Sequence, residues 1–306
     1  MMELLGAERI RSQAQSILDT AGLTGSILVR DLASGVEVGI NPDDSFPMAS
    51  LVKLPLAGAL LSAADNGVLD LGATVRLDPA TATPGPTGLC RFRYPTTVAV
   101  ADLLYLAIAI SDDTAADSLF SVVPPSSVRA WLDSLDIRSE LFIRHPISDI
   151  YRSIADRVNP ADMEVLHRLI VDAAMSGSDS PLPQLNRRHA NNGSARGFVD
   201  LLGALWSADS AISATTRSAV RELLGLNVFR HRLAPEFTSE RMRWFSKTGS
   251  FMNLRHEVGV VEHASGRVIA VAVLTRSSVP AIAQPAAEAA MGRAARVLHD
   301  QVLAAM

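Results

Sequence analysis

A chain with 26 arginines has two lysines, and each lysine lies beside hydroxyl residues in a short motif. Lys53 closes Ser50-Leu51-Val52-Lys53, and Lys247 opens Lys247-Thr248-Gly249-Ser250. Arginine keeps its proton at any useful pH, whereas a buried lysine can shift its pKa and act as a base. Lysine kept at these two places therefore points to proton transfer.

At spacing i, i+3 on a helix, Ser50 and Lys53 share one face. An apolar helical stretch follows through Ala64, and Pro55 fits its first turn, where the amides have no intrahelical partner. The helix N-terminus favours negative charge developing on a hydroxyl. The chemistry this allows is a nucleophile, Ser50, with Lys53 as its base; the plainer alternative is an N-cap serine before a surface lysine. A second hydroxyl, Ser111 of Ser111-Asp112-Asp113, could relay a proton to a leaving group. Lys247 and Thr248, at a strand end, can hold a substrate carboxylate, and Gly249 lets a substrate backbone lie along the strand edge. The amide of Ser250 could complete an oxyanion hole with that of Ser50.

The elements that must position these residues follow from pattern. Glu8 to Ala21 has helical apolar spacing with Gly22 after its end. Ser26 to Leu32 and Val36 to Ile40 read as a hairpin around Ala33-Ser34-Gly35. Residues 50 to 235 are mostly helical in pattern, with loops at Asp78 to Pro95 and Met175 to Ser194. Met242 to Lys247, Glu257 to Glu262 and Arg267 to Thr275 read as three strands, and an alanine-rich helix from Pro285 to Ala305 closes the chain. Strands at both ends imply one sheet completed from distant parts of the chain, with a helical lobe inserted. The expected division is 1–46 with 236–306 as an α/β lobe and 47–235 as a helical lobe, all three motifs falling at their junction.

Together, in this order, the three motifs resemble those of the serine β-lactamase and penicillin-binding protein superfamily, most closely its class A β-lactamase branch. Ser26 to Leu61 looks like that family's first hairpin and nucleophile helix. Ser111-Asp112-Asp113-Thr114-Ala115-Ala116-Asp117 looks like its S-D-N-T-A-A-N segment, and Arg255 to Val260 like the strand after K-T-G. The resemblance implies an α+β fold: a five-stranded antiparallel sheet flanked by the terminal helices, plus a helical lobe. It also implies Ser50 as nucleophile, Lys53 as general base, Ser111 as proton relay, and Lys247 with Thr248 as carboxylate anchor.

The chain departs from that pattern in three ways. Asp113 and Asp117 stand where the motif has asparagine; a carboxylate at 113 cannot donate to a substrate carbonyl, and near Lys53 it would stabilise the ammonium. The E-x-x-L-N motif, whose glutamate activates the deacylating water, is absent, and no glutamate lies between Glu140 and Glu164. Arg144 to Asp149 occupies the corresponding place, which makes Asp149 the candidate replacement base and His145 a second. The stretch between Ser111 and Lys247 is also long for the family, and Met175 to Asn192 could form an extra loop over the cleft.

A net charge of −4 leaves no basic footprint for nucleic acid. One cysteine, Cys90, excludes an internal disulfide, and seven scattered histidines suggest no metal site. No organic cofactor is implied. The apolar run Val98 to Ile110 is broken by Asp102 and too short to cross a bilayer, so no membrane partner is expected. The first residues lack the pattern of a signal peptide, so a cytoplasmic location is expected. The ligand expected is a small molecule, a β-lactam or a carboxylate-bearing amide or ester. Three activities fit: hydrolysis of a β-lactam or related cyclic amide through an acyl-enzyme at Ser50; a cytoplasmic esterase, amidase or acyltransferase on a small metabolite; and a penicillin-binding sensor that is acylated without turnover.

Overall fold

The computed structural model describes residues 2–305 except 136, 138–140, 157, 158, 160, 161, 179, 187 and 280–282. The chain opens with helix α1 (Met2–Thr20), turns at Gly22, and enters the hairpin β1 (Leu23–Asp31) and β2 (Glu37–Ile40). Three strands near the other end, β8 (Met242–Phe251), β9 (Leu254–His263) and β10 (Val268–Ser277), complete an antiparallel sheet in the order β2-β1-β10-β9-β8. Helix α11 (Pro285–Ala304) packs beside α1 on one face. This is the α+β architecture expected from the two chain ends.

The sheet is apolar on both faces because both are covered, which is why its strands read as nearly continuous apolar runs. Ile27, Val29, Val261, Val271 and Val273 face α1 and α11, while Leu28, Val258, Val260, Ala270 and Ala272 face the helical body. Alternation along each strand sends successive residues to the two cores.

Between the strand groups the chain forms β3 (Ser45–Pro47), α2 (Lys53–Asp65), β4 (Thr74–Leu77), β5 (Thr96–Ala99), α3 (Val100–Ala109), α4 (Asp113–Val122) and α5 (Pro125–Ser134). It continues through β6 (Leu141–Phe142), α6 (Ser148–Ala155), α7 (Met163–Ser176), β7 (Asn192–Ser194), α8 (Ala195–Trp206), α9 (Ala214–Gly225) and α10 (Ala234–Phe237). Helix α2 is the axis of this body: every residue from Lys53 to Leu61 is buried. That enclosure explains its all-round apolar sequence. The sequence pattern did not reveal the small sheets β3-β7-β6 and β4-β5, whose strands are two to four residues long.

Two readings of extent change. The strand bearing Lys247 runs on to Phe251, so Lys247-Thr248-Gly249-Ser250 lies within β8 rather than at its end. Most of the long segment before β7 is organised: α7 packs Leu166 and Ile170 with Leu182, Leu185 and Leu254 in a small core of its own. No described helix is long and apolar enough to cross a membrane.

Candidate active site

Ser50 lies in a 3-10 turn, Ala49–Val52, that runs straight into α2. With three residues per turn, Ser50 and Lys53 eclipse, and Lys53 Nζ donates to Ser50 Oγ at 3.3 Å. The turn is entered through Ala49 at φ 48°, and Ser111 sits at φ 58° between α3 and α4. Non-glycine residues in this region cost about 1–3 kcal/mol each and persist where the surroundings over-determine them. Here both strained positions flank or carry the hydroxyls that meet at Lys53.

The entry to the turn is tied down from two sides. The Met48 amide donates to the Asn191 carbonyl at 2.8 Å, and His256 contacts the Pro47 carbonyl through Nε2 at 2.9 Å. The Thr275 amide donates to His256 Nδ1, so Nε2 carries the hydrogen and donates to Pro47. Burial pushes this imidazole down to about 3, which keeps it neutral.

Lys53 is fully enclosed. Besides Ser50 it donates to the Ser111 carbonyl at 2.6 Å, to Ser111 Oγ at 3.2 Å and to Asp113 Oδ1 at 2.5 Å. From β8, Lys247 Nζ stands 2.9 Å from Ser111 Oγ and 2.9 Å from the Thr248 carbonyl oxygen. Ser50, Lys53, Ser111 and Lys247 therefore form one connected chain of polar atoms with Ser111 Oγ between the two amines. Burial, then the charge of Lys53, lowers the Lys247 pKa well below its ordinary value.

Ser50, Ser111, Asp113, Thr248 and Ser250 share one cleft of about 640 Å³. Gly249 turns out to serve packing. A Cβ there would stand 3.0 Å from the Met48 carbonyl oxygen and 3.1 Å from Leu51 Cγ, so glycine lets β8 press against the turn that carries Ser50. Ser250 Oγ accepts from Arg232 Nη2 at 2.6 Å.

Asp149 is not brought to Ser50. Its carboxylate pairs with Arg152 one turn on, and the wall beside Ser50 is formed instead by Ile147, Ile150 and Tyr151. His145 is buried, with Nδ1 3.0 Å from the Pro146 carbonyl and its amide donating to Asn191 Oδ1. Tyr151 donates to Asp113 Oδ2 at 3.0 Å. Asp117 has a task of its own: it accepts the amides of Ile147 and Ser148, each at 2.7 Å, and the Thr83 hydroxyl at 2.6 Å. A carboxylate there holds the first turn of α6, and with it the wall.

Sequence reasoning missed a cluster of charges on the wall of the cleft. Arg232 donates to the Gly249 and His256 carbonyls and to Glu288, while Arg255 pairs with the same carboxylate at 3.3 Å. Two buried guanidiniums thus share one buried glutamate, and all three residues line the same cleft as Ser50, Ser111 and Thr248. No motif marks Arg232 or Glu288, and Arg255 reads only as the start of the strand after K-T-G; the three meet only in the fold. Gln184 and Leu185 also reach the slot beside Ser50, so the segment expected to form an extra loop does border the site. Among the described residues no group of three or more His, Cys, Asp or Glu is placed to hold a metal ion.

The model of the β-lactamase enzyme family matches residues 9–302. The chain belongs to this family. Along its length it is 46% identical to the β-lactamase regulatory protein BlaB of Streptomyces cacaoi, covering 98% of this chain and 99% of that one. A shorter region, 32% of this chain and 33% of the relative, is 34% identical to the extended-spectrum β-lactamase PER-1 of Pseudomonas aeruginosa. The fold of this family member superposes on a β-lactamase from Chitinophaga pinensis with a TM-score of 0.75 at 19% identity, over 95% and 98% of the two chains. It matches the acyl-enzyme complex of a PBP-A point mutant with penicillin G with a TM-score of 0.74 at 17% identity, over 96% of each. These two structures share the fold.

Proposed function

We propose that the protein forms an acyl-enzyme at Ser50 with a β-lactam or related cyclic amide and holds the adduct, acting as a penicillin-binding sensor. The observation that carries this reading is the wall beside the nucleophile. A hydrolase must activate water against the ester carbonyl at Ser50, yet the wall is Ile147, Ile150 and the Tyr151 ring. The carboxylate bordering the same slot, Asp113, is spent on Lys53 and the Tyr151 hydroxyl. Ser50 has its proton-transfer partners for attack, while the slot closed by this wall offers no carboxylate free to act as a base for release. The likeness to a protein named as a regulator of β-lactamase supports the same side.

A second reading, β-lactam hydrolysis, draws on the connected array of Ser50, Lys53, Ser111 and Lys247, which can serve both halves of a turnover if water is activated by one of these groups. Intact-protein mass followed over time separates the two, with a penicillin, a cephalosporin and a simple ester, on the wild type and on Ser50→Ala. A Ser50-dependent lactam adduct that persists for hours supports the sensor. An adduct that decays with accumulating product supports the hydrolase. Ester turnover without any lactam adduct moves the substrate to a small metabolite, and no Ser50-dependent change with any compound overturns the acyl-enzyme.

A further inference from the structure

Ser111 Oγ lies between the two lysine nitrogens, 3.2 Å from Lys53 and 2.9 Å from Lys247. The lysines differ in what neutralises them. Lys53 has a carboxylate, Asp113, at 2.5 Å and a carbonyl at 2.6 Å. Lys247 is wholly buried with a hydroxyl and the Thr248 carbonyl, and makes no ion pair among the described residues. The charged groups around Lys247 are Lys53 from α2, Asp113 from α4, Arg232 from the loop before α10 and Glu257 from β9. Of the two carboxylates, Asp113 is engaged by Lys53 and Tyr151, and Glu257 by Trp244 Nε1, Ser246 Oγ and the Leu233 amide. Counted with the buried guanidiniums of Arg232 and Arg255, two ammoniums would make four cations against three carboxylates, Asp113, Glu257 and Glu288. That leaves one positive charge over, and the buried amine without an ion pair relieves it by losing its proton.

Resting on the acyl-enzyme reading above, we propose that the two lysines work in the reverse of their expected roles: Lys53 is the fixed cation, and Lys247 is the amine that accepts the nucleophile's proton through Ser111. The transfer starts from the lone pair on Lys247: Ser111 Oγ gives its proton to Lys247 and takes one from the Lys53 ammonium. The lone pair so freed on Lys53 takes the proton of Ser50 Oγ as that oxygen bonds to the lactam carbonyl carbon. Lys53 ends as it began, an ammonium. When the carbon–nitrogen bond of the lactam breaks, Lys247 returns the proton through Ser111 to the leaving nitrogen, so no proton is lost or gained. The substitution of aspartate in the family's Ser-Asp-Asn segment then has a consequence: it fixes the charge on Lys53 and moves the base to β8.

With two lysines in the chain, protein grown on lysine carrying ¹³C at the ε position gives two side-chain signals, and their shifts report protonation directly. In the wild type near neutral pH, one signal is expected at the ammonium position and one at the neutral-amine position. In Lys247→Arg the neutral signal disappears and the ammonium signal remains. Two ammonium signals, or survival of the neutral one in Lys247→Arg, overturn the proposal. Should that variant not fold, Lys53→Arg makes the assignment by retaining the neutral signal. A fluorophosphonate probes Ser50 without requiring a lactam: its labelling should slow about 100-fold in Lys247→Arg and recover at least tenfold when Asp113→Asn is added, since Lys53 is then released. Labelling as fast in Lys247→Arg as in the wild type overturns it. Fluorophosphonate labelling that obeys this order while no lactam adduct forms sinks the penicillin reading and keeps the lysine assignment.

Discussion

The Tyr151 hydroxyl donates to the outer oxygen of Asp113 at 3.0 Å, while the inner oxygen takes Lys53 at 2.5 Å. Burial and the Asp113 charge push the phenol well above its ordinary pKa, so it remains a donor at every working pH. Tyr151 therefore does two separable things: it completes the hydrogen bonding of a buried carboxylate, and its ring closes the wall beside Ser50.

Those two roles respond to different substitutions. Tyr151→Phe keeps the ring and loses the donor, so it should lower stability by about 1.5–3 kcal/mol, the usual value of a hydrogen bond to a charged group, read by chemical denaturation. The lifetime of a Ser50 adduct should change little. Tyr151→Ala opens the wall to water and should shorten that lifetime by roughly tenfold, a barrier change of about 1.4 kcal/mol. Equal lifetimes in the two variants would remove the wall from the account of slow release.

Gly249→Ala should separate β8 from the nucleophile turn. The added methyl meets the Met48 carbonyl at 3.0 Å and Leu51 Cγ at 3.1 Å, atoms of the turn itself. Overpacking of this kind costs about 1–3 kcal/mol, and Lys247 would move relative to Ser111. Stopped-flow acylation should slow at least tenfold, with a matching loss in thermal stability. Unchanged acylation with lowered stability would mean that the strain relaxes away from the site.

Glu288 answers for two cations. It accepts from Arg232 at 3.0 Å and pairs with Arg255 at 3.3 Å, all three being buried. Glu288→Gln leaves both guanidiniums without their counter-charge and should cost about 3–5 kcal/mol, as breaking a buried pair does. Because Arg232 also holds the Gly249 carbonyl and Ser250 Oγ, acylation should weaken alongside stability. Denaturation and adduct formation measured on one preparation test both.

The strands, the terminal helices and the Ser50–Lys53 pair were legible because they rest on local pattern, whereas Ser111 meets Lys53 across 58 positions and Lys247 across 136 and was joined to them through the family resemblance. Ser50 and Lys53 are three residues apart, so helical geometry alone brings them together, and the strands alternate or run apolar over nine or ten residues. What the sequence hid depends on chain crossings: Tyr151 meets Asp113 across 38 positions, Arg232 meets Glu288 across 56, and His256 meets Pro47 across 209. Asp149 illustrates the same limit from the other side. It was placed near the site by spacing along the chain, but helix α6 turns Ile150 and Tyr151 toward Ser50 and leaves Asp149 to Arg152. A spacing rule gives the neighbourhood of a side chain; the rotation of one short helix decides which member of the turn faces in.

His256 makes the protein acid-sensitive in a defined window. Its pKa falls from 6.5 to about 3 because burial disfavours the charged ring. Below 6.5 the unfolded chain takes up a proton that the folded protein refuses, so stability falls as pH drops and stops falling near pH 3. In that window this residue should contribute a slope of about 1.4 kcal/mol per pH unit. Since Nε2 holds the Pro47 carbonyl at the entry to the nucleophile turn, protonation that breaks the Thr275 amide contact should also release that turn. His256→Gln should flatten the difference between stabilities measured at about pH 6.5 and about pH 4, at a loss of stability at neutral pH. If the slope between those two values is the same in the variant as in the wild type, other groups carry the acid response and His256 has only its hydrogen bonds to contribute.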